Sequence, residues 1–134
     1  MYASRAAIEK SGISGDDIDQ VMYANIGQSS ADSYFLPRHI GLYSGIPEGV
    51  PAVMLQRICG SGFETIIAGA EQIMLGKAGA TLCGGTENMT LSPTVSFGNR
   101  MGYGLGRIDF KDMLWEALND TAAVPMGCTA ENVA

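Results

Sequence analysis

Apolar and polar positions along this chain follow a helical rhythm in some stretches and a strand rhythm in others. Ala3, Ala7 and Ile8 form a helical stripe opposite Arg5, Glu9 and Lys10, and the stripe stops at Gly12. Asp16, Asp17 and Asp19 make an acidic turn, and Val21 to Ile26 follows as a short β-prone run ended by Gly27. After a polar loop from Gly27 to Ser33, apolar residues recur at helical spacing from Tyr34 to Tyr43. Pro37 either opens or kinks that helix, and Gly45, Pro47 and Gly49 close it. Val50 to Ile58 reads as a strand running directly into Cys59-Gly60-Ser61-Gly62 and then a helix. In that helix Ile66, Ile67, Ala70, Ile73 and Met74 mark one face, and Gly76 is a natural stop.

Ala80 to Cys83, bounded by Gly79 and Gly84, has the profile of a buried parallel strand. The order strand, helix, strand predicts a right-handed βαβ unit, and the class is α/β with a mostly parallel sheet. Thr86 to Phe110 carries no sustained period and is too long for an ordinary connection, so it is expected to form an excursion. Asp112 to Leu118 predicts two helical turns. A last helix is expected to start at Thr129, with Glu131 in its first turn. Helical pattern at the very start, with no strand before it, and a helix still running at Ala134 predict a chain whose ends fall inside a larger domain.

Composition narrows the function classes. Eighteen of 134 residues are glycine, nearly double the usual share, and 46% apolar residues stand beside 16% charged ones. These proportions describe a globular chain, long enough to bury a core without disulfides or a metal. Eight basic against 14 acidic residues give a net charge of −6, with no basic stripe to track phosphates, which argues against nucleic acid as a partner. No apolar run approaches the roughly 20 residues of a bilayer-spanning helix, and Met1 to Lys10 lacks the pattern of a targeting segment. Cys59, Cys83 and Cys128 are odd in number and far apart, without a CxxC pair. They read as free thiols in an intracellular, reducing compartment rather than as a disulfide framework or a metal site.

The candidate chemistry centres on Cys59. A strand-to-helix turn leaves a sulfur reachable, and the helix beginning near Ser61 points its free amides and positive end back at that position. Such an end favours the thiolate and offers N–H donors to an oxyanion, with Gly60, Ser61 and Gly62 shaping the turn and leaving room for a substrate. A lone cysteine is by default a buried core residue, and the flanking glycines are what lift Cys59 above that default. His39, the only histidine, sits in an apolar stretch where a structural role is the better reading. A cysteine hydrolase would want a histidine and an orienting acid beside Cys59, and His39 is the one residue available for it. Gly102-Tyr103-Gly104-Leu105-Gly106 follows no strand, opens no helix and lacks dinucleotide-binding spacing.

Three segments in order carry a resemblance. Arg57-Ile58-Cys59-Gly60-Ser61-Gly62-Phe63 resembles the nucleophile segment of the thiolases. Cys83-Gly84-Gly85-Thr86-Glu87-Asn88-Met89-Thr90 is similar to their GG-x-E-x-M-S/T loop, and Met126-Gly127-Cys128-Thr129-Ala130-Glu131-Asn132-Val133-Ala134 to their M-x-x-T-A-E-N-x-A segment. Pro37-Arg38-His39-Ile40-Gly41-Leu42 with Gly45-Ile46-Pro47, and Asp112-Met113-Leu114-Trp115, look closest to the 3-ketoacyl-CoA thiolases of fatty-acid degradation.

The resemblance implies acyl transfer between a 3-ketoacyl-CoA, a cysteine and coenzyme A, by thiolysis or by Claisen condensation, with Cys59 as the matching nucleophile. It implies acyl-CoA and coenzyme A as substrates, no covalently bound cofactor, no metal, and a homo-oligomer, in bacterial cytoplasm or mitochondrial matrix. Residues 1–134 would form part of the thiolase N-terminal domain, with 86–134 the start of a loop excursion within it. Met126 is placed to line an acyl pocket, and Arg100 and Arg107 to meet coenzyme A phosphates, although methionines often fill gaps and loop arginines are usually solvated. The family's activating histidine, second cysteine and oxyanion-hole residues come from later regions, and His39 does not match them. The family's first strand, expected centrally in the sheet, and its second repeat have no counterpart in these residues. An isolated chain of this kind is therefore expected to expose sheet edges, to depend on a partner and not to turn over. The alternative is a non-catalytic, thiolase-like remnant acting in dimerisation or acyl-CoA binding, with Val50 to Ile58 as its contact strand.

Overall fold

The computed structural model describes residues 1–119 and 124–134. The chain divides into two compact units, one of residues 1–26 and 30–87, the other of residues 27–29 and 88–134.

The first unit is built on a three-stranded sheet. Helix α1 (Tyr2–Ser11) ends where Gly12 takes a left-handed conformation, φ 74°, as the opening stripe predicts. The acidic turn is a short 3-10 segment, Gly15–Asp17. Ser14 and Asp17 cap it reciprocally, each side chain accepting a backbone N–H near the other residue. Strand β1 (Gln20–Ala24) follows, then α2 (Leu36–Tyr43) with Pro37 in its first turn, where the missing N–H costs nothing. Strand β2 (Ala52–Leu55), α3 (Ser61–Met74) and β3 (Thr81–Gly85) complete the unit.

Strand β1 lies in the middle, paired in parallel with β2 on one side (Val21 with Ala52, Ala24 with Leu55) and β3 on the other (Gln20 with Thr81, Ala24 with Gly85). The expected gap at the centre of the sheet is therefore absent, because β1 itself bonds to both neighbours. The core gathers on this strand, with Ile18, Val21, Tyr23, Ile40, Ile46 and Leu82 buried together. Asp19 ties the entry of β3 to β1, its carboxylate accepting the Gly79 and Ala80 amides at 2.6 and 3.3 Å.

Helix α3 corrects a natural inference from periodicity. Its buried positions are Ser61, Thr65 and Gly69, with Thr65 at 0% exposure, whereas Ile66 is 63% and Met74 85% exposed. The small-residue stripe faces the sheet because it permits close approach: a Cβ at Gly69 would stand 2.6 Å from Cys83 Sγ and 2.7 Å from Thr81 Oγ1. The apolar stripe of Ile66, Ile67 and Ile73 faces away. Gly76, at φ 67°, follows the C-cap as expected.

The second unit contains the excursion. A two-stranded antiparallel ribbon pairs β4 (Thr94–Val95) with β5 (Lys111–Asp112). The Asp112 carboxylate then caps α4 (Met113–Leu118) by accepting the Leu114 amide at 2.9 Å. Helix α5 spans Met126–Val133, starting three residues before the expected Thr129, because the Pro125 carbonyl accepts the Thr129 amide and closes the first turn upstream. No helix among the described residues is long and apolar enough to cross a membrane.

Candidate active site

The bend between β2 and α3 is sharper than a strand passing directly into a helix. Strand β2 stops at Leu55, short of the Ile58 boundary expected from its apolar run, and residues 57 to 60 turn on themselves. Ile58 takes a left-handed conformation, φ 44°. A β-branched residue rarely accepts that region, because its Cβ crowds the carbonyl, and such strain survives only where neighbours over-determine it.

Those neighbours are visible. Ser61, 3% exposed, accepts the Arg57 amide on its hydroxyl oxygen at 2.6 Å and donates to the Ile58 carbonyl at 2.6 Å. The Gly60 amide donates to the Arg57 carbonyl at 3.0 Å and the Ser61 amide to the Ile58 carbonyl at 3.1 Å. Across the bend the Arg57 guanidinium pairs with Glu64, in the first turn of α3, at 3.0 Å. A Cβ at Gly60 would press on the Arg57 carbonyl at 3.3 Å, so the residue after the cysteine has little room to grow. A Cβ at Gly62 would meet nothing within 4 Å.

Held this way, Cys59 stands exposed at the residue just before the N-cap of α3. The expected helix end is in place beside it, where the first amides of a helix lack intrahelical partners and carry the positive end of its dipole. Two of those amides, on Gly60 and Ser61, are engaged by carbonyls of the bend, and the amide of Gly62 is the next in the first turn. Thr65 braces that turn from below, its hydroxyl donating to the Gly62 carbonyl at 2.8 Å.

A second cluster lies at the carboxyl ends of β1 and β3. The Glu87 carboxylate accepts the Ile26 amide at 2.9 Å and the Asn25 side-chain amide at 3.3 Å, and Asn25 also donates to the Thr86 carbonyl at 2.9 Å. Gly84 before it is sterically required, since a Cβ there would lie 2.6 Å from the Tyr23 ring, whereas a Cβ at Gly85 would come no nearer than 3.4 Å to Ala24.

The other candidates fall elsewhere. His39 sits on α2 between the rings of Phe35 and Tyr43, centroids 6.0 Å from each, with Nδ1 3.8 Å from Asp32 Oδ2. That is a surface packing role in keeping with the structural reading. The Ser30 hydroxyl, donating to Asp32 at 2.7 Å, is the main reason that carboxyl is held below its ordinary value. Its own backbone amide and His39 lower it further, and slight desolvation opposes them. Cys83 is half-buried on β3 against α3. Met126 opens α5, Arg100 lies in the 3-10 turn Asn99–Met101 and Arg107 closes the turn begun at Gly104. These three residues, with exposed Cys128, belong to the second unit, whereas Cys59 belongs to the first. Among the described residues no group of three His, Cys, Asp or Glu side chains stands where it would hold a metal ion. The Arg57–Glu64 pair and the double role of the Ser61 hydroxyl escape a reading by motif. Their one trace in the sequence is opposite charges seven residues apart around a Gly-Ser-Gly bend, which has meaning only once the bend is known.

Comparison with known proteins agrees along the whole chain. Residues 1–134 match the family described as thiolase, N-terminal domain. The chain is 40% identical over 138 aligned positions to the mitochondrial 3-ketoacyl-CoA thiolase of Bos taurus, covering 99% of this chain and 34% of that protein. It is 34% identical to the beta-ketothiolase BktB of Cupriavidus necator, covering 97% and 33%. The crystal structure of human mitochondrial 3-ketoacyl-CoA thiolase in complex with CoA superposes with a TM-score of 0.92 at 42% identity, covering 99% of this chain and 34% of that one. The acetyl-CoA acetyltransferase of Bacillus anthracis gives 0.81 at 31% identity, covering 97% and 33%. The chain thus spans about a third of the length of these relatives.

Proposed function

This chain belongs to the thiolase family through that family's N-terminal domain, and from that membership we propose that it serves acyl transfer, with Cys59 taking an acyl group from an acyl-CoA thioester. The observation that carries the proposal is the exposed Cys59 at the braced bend beside the start of α3.

The Cys59 thiolate attacks the thioester carbonyl carbon. A new carbon–sulfur bond forms as the bond to the coenzyme A sulfur breaks, and the proton given up by Cys59 is returned through solvent to the departing coenzyme A thiol. That acyl group passes in the synthetic direction to the carbanion of an acetyl-CoA, forming a carbon–carbon bond. In the degradative direction the Cys59 thiolate instead attacks the 3-keto carbon of a 3-ketoacyl-CoA, the C2–C3 bond breaks, and the acetyl-CoA carbanion leaves and is protonated. A coenzyme A thiolate then takes the acyl group from Cys59. Charge growing on the carbonyl oxygen lies at the amino end of α3, where the Gly62 amide follows those of Gly60 and Ser61, which the bend has used. The base for the thiol and the proton shuttle for the α-carbon are assigned to regions beyond residues 1–134, as in the family this chain resembles. Residues 86–134 form the start of a loop excursion in which Met126 lines an acyl pocket and Arg100 and Arg107 meet coenzyme A phosphates. Free thiols suit a reducing compartment, bacterial cytoplasm or mitochondrial matrix.

Incubation of the purified chain with acetyl-CoA, followed by peptide mass analysis, tests the proposal. The expected product is one acetyl group on the Cys59 peptide, absent in Cys59→Ala, together with faster labelling of Cys59 than of Cys83 or Cys128 by a thiol reagent at mildly acidic pH. Unmodified Cys59, or equal reactivity of all three thiols, refutes it. Steady thiolysis of acetoacetyl-CoA by this chain alone refutes the assignment of the base to later regions. A dimerising role has one observation in its favour: within the described residues β2 pairs on one side only and leaves its outer edge open. Concentration-dependent dimers that vanish in Val53→Pro, without any acetyl adduct in the parent chain, would favour that role instead.

A further inference from the structure

The bend before α3 contains a device that the chemistry of Cys59 does not itself explain. Ile58 is one of two non-glycine residues with positive φ among the described residues. Its side chain is 45% exposed, and the hydrogen bonds at this residue run through its backbone. The Ser61 hydroxyl is the group that acts on both sides of Ile58 at once, accepting from the Arg57 amide before it and donating to its own carbonyl. The hydroxyl has one proton and two lone pairs, and these two short bonds use the proton and fix the orientation of the lone pairs. It is buried, so water does not readily replace either bond.

We propose that Ser61 is a positioning residue for Cys59: its buried hydroxyl locks Ile58 in the left-handed conformation, and the lock sets the Cys59 sulfur out in front of the amino end of α3. The inference rests on Cys59 being the nucleophile and assigns Ser61 a backbone-holding role in place of direct contact with substrate. Without the hydroxyl, the Arg57 amide loses its partner and the Ile58 carbonyl keeps only the Ser61 amide, so Ile58 relaxes toward the ordinary β or α regions and the peptide carrying Cys59 rotates with it. The Arg57–Glu64 pair, with the arginine largely in solvent, is too screened to hold the bend, and the Gly60 and Ser61 amides bond to carbonyls of the bend without engaging the Arg57 amide.

The test reads the three cysteines of one molecule against each other. The purified chain is treated with iodoacetamide at pH 6, and the rate at each cysteine is followed by peptide mass analysis, with exposed Cys128 as the internal reference. In Ser61→Ala the Cys59 to Cys128 rate ratio is expected to fall several-fold while far-UV circular dichroism stays that of the parent. Adding Ile58→Gly, which accepts φ 44° without strain, is expected to return the ratio toward the parent value. A merely structural role moves stability but not that ratio, so an unchanged ratio in folded Ser61→Ala overturns the proposal, as does failure of Ile58→Gly to restore it. Should Ser61→Ala not fold, the double variant decides alone: folded with the parent ratio it supports the lock, and unfolded or unreactive it refutes it. Alkylation needs no acyl transfer, so absence of an acetyl adduct in the parent chain would count against the proposed function and leave this result standing.

Discussion

Gly84 shows how closely the sheet is fitted around the strand that carries the core. An alanine methyl there would lie 2.6 Å from Tyr23 Cζ, 2.7 Å from Cε1 and 2.8 Å from the phenolic oxygen. Ordinary carbon contacts need about 3.5–4.0 Å, so the ring must retreat by about 1 Å. Tyr23 is 7% exposed on the central strand, and its hydroxyl bonds to Ser4, 2% exposed, at 2.6 Å. Overpacking of this kind costs about 1–3 kcal/mol. Breaking the buried Tyr23–Ser4 bond adds about 1–3 kcal/mol, because both hydroxyls are then left without water or partner. Replacing a strand glycine by alanine returns about 0.5–1 kcal/mol. Gly84→Ala is therefore expected to destabilise the chain by about 1–5 kcal/mol, a fall in Tm of about 4–20 °C at roughly 4 °C per kcal/mol for a chain of this size. Urea unfolding followed by circular dichroism measures it, with an unchanged m-value marking a pure stability effect. Tyr23→Leu removes the Cζ, Cε1 and hydroxyl that collide, so Gly84→Ala placed on Tyr23→Leu is expected to cost little more than Tyr23→Leu alone. A Gly84→Ala chain within about 0.5 kcal/mol of the parent, or strict additivity of the two changes, would refute the steric account.

Gly69→Ala tests the close approach of α3 to β3. Alanine improves helix propensity by about 1 kcal/mol, yet the collision with Cys83 and Thr81 is expected to cancel or outweigh it and leave the chain up to about 2 kcal/mol less stable. Urea midpoints for Gly69→Ala with and without Cys83→Ala check this, and a stabilised single variant would contradict it. The lowered Asp32 value gives a pH signature: its bonds to Ser30 and its own amide favour the charged form, so they contribute above the ordinary carboxyl range near 3.8 and are lost as pH falls through the lowered value. Ser30→Ala is expected to move the Asp32 titration, followed by carboxyl NMR shifts, up toward the ordinary value, and no movement would exclude Ser30 as the cause.

Local signals in the sequence placed much of this protein without help from the fold. The end of α1 at Gly12 and of α3 before Gly76, and the presence of β1 and β3, follow from glycine conformation and apolar pattern, which act within a few residues. The bounds differ, β1 being Gln20–Ala24 where the pattern predicts Val21 to Ile26 and β3 running on through Gly84 and Gly85. The three ordered motifs were likewise enough to identify the family to which the chain belongs. Tertiary structure alone decided which side of α3 faces inward, because an apolar stripe says that a face is greasy and not what covers it. The close approach at Gly69 to Cys83 and Thr81 of β3, with Ser61 and Thr65 buried on the same side, marks that choice. It also decided that β1 is central, since pairing partners are set by contacts distant in sequence. Strand β2 ends at Leu55, and Ile58 turns left-handed at a bend where a serine three residues later bonds to the Arg57 amide and to the Ile58 carbonyl. No pattern of hydrophobic and polar residues encodes a hydroxyl acting back across a bend; that balance of strain and bonding exists only when strand, turn and helix are assembled.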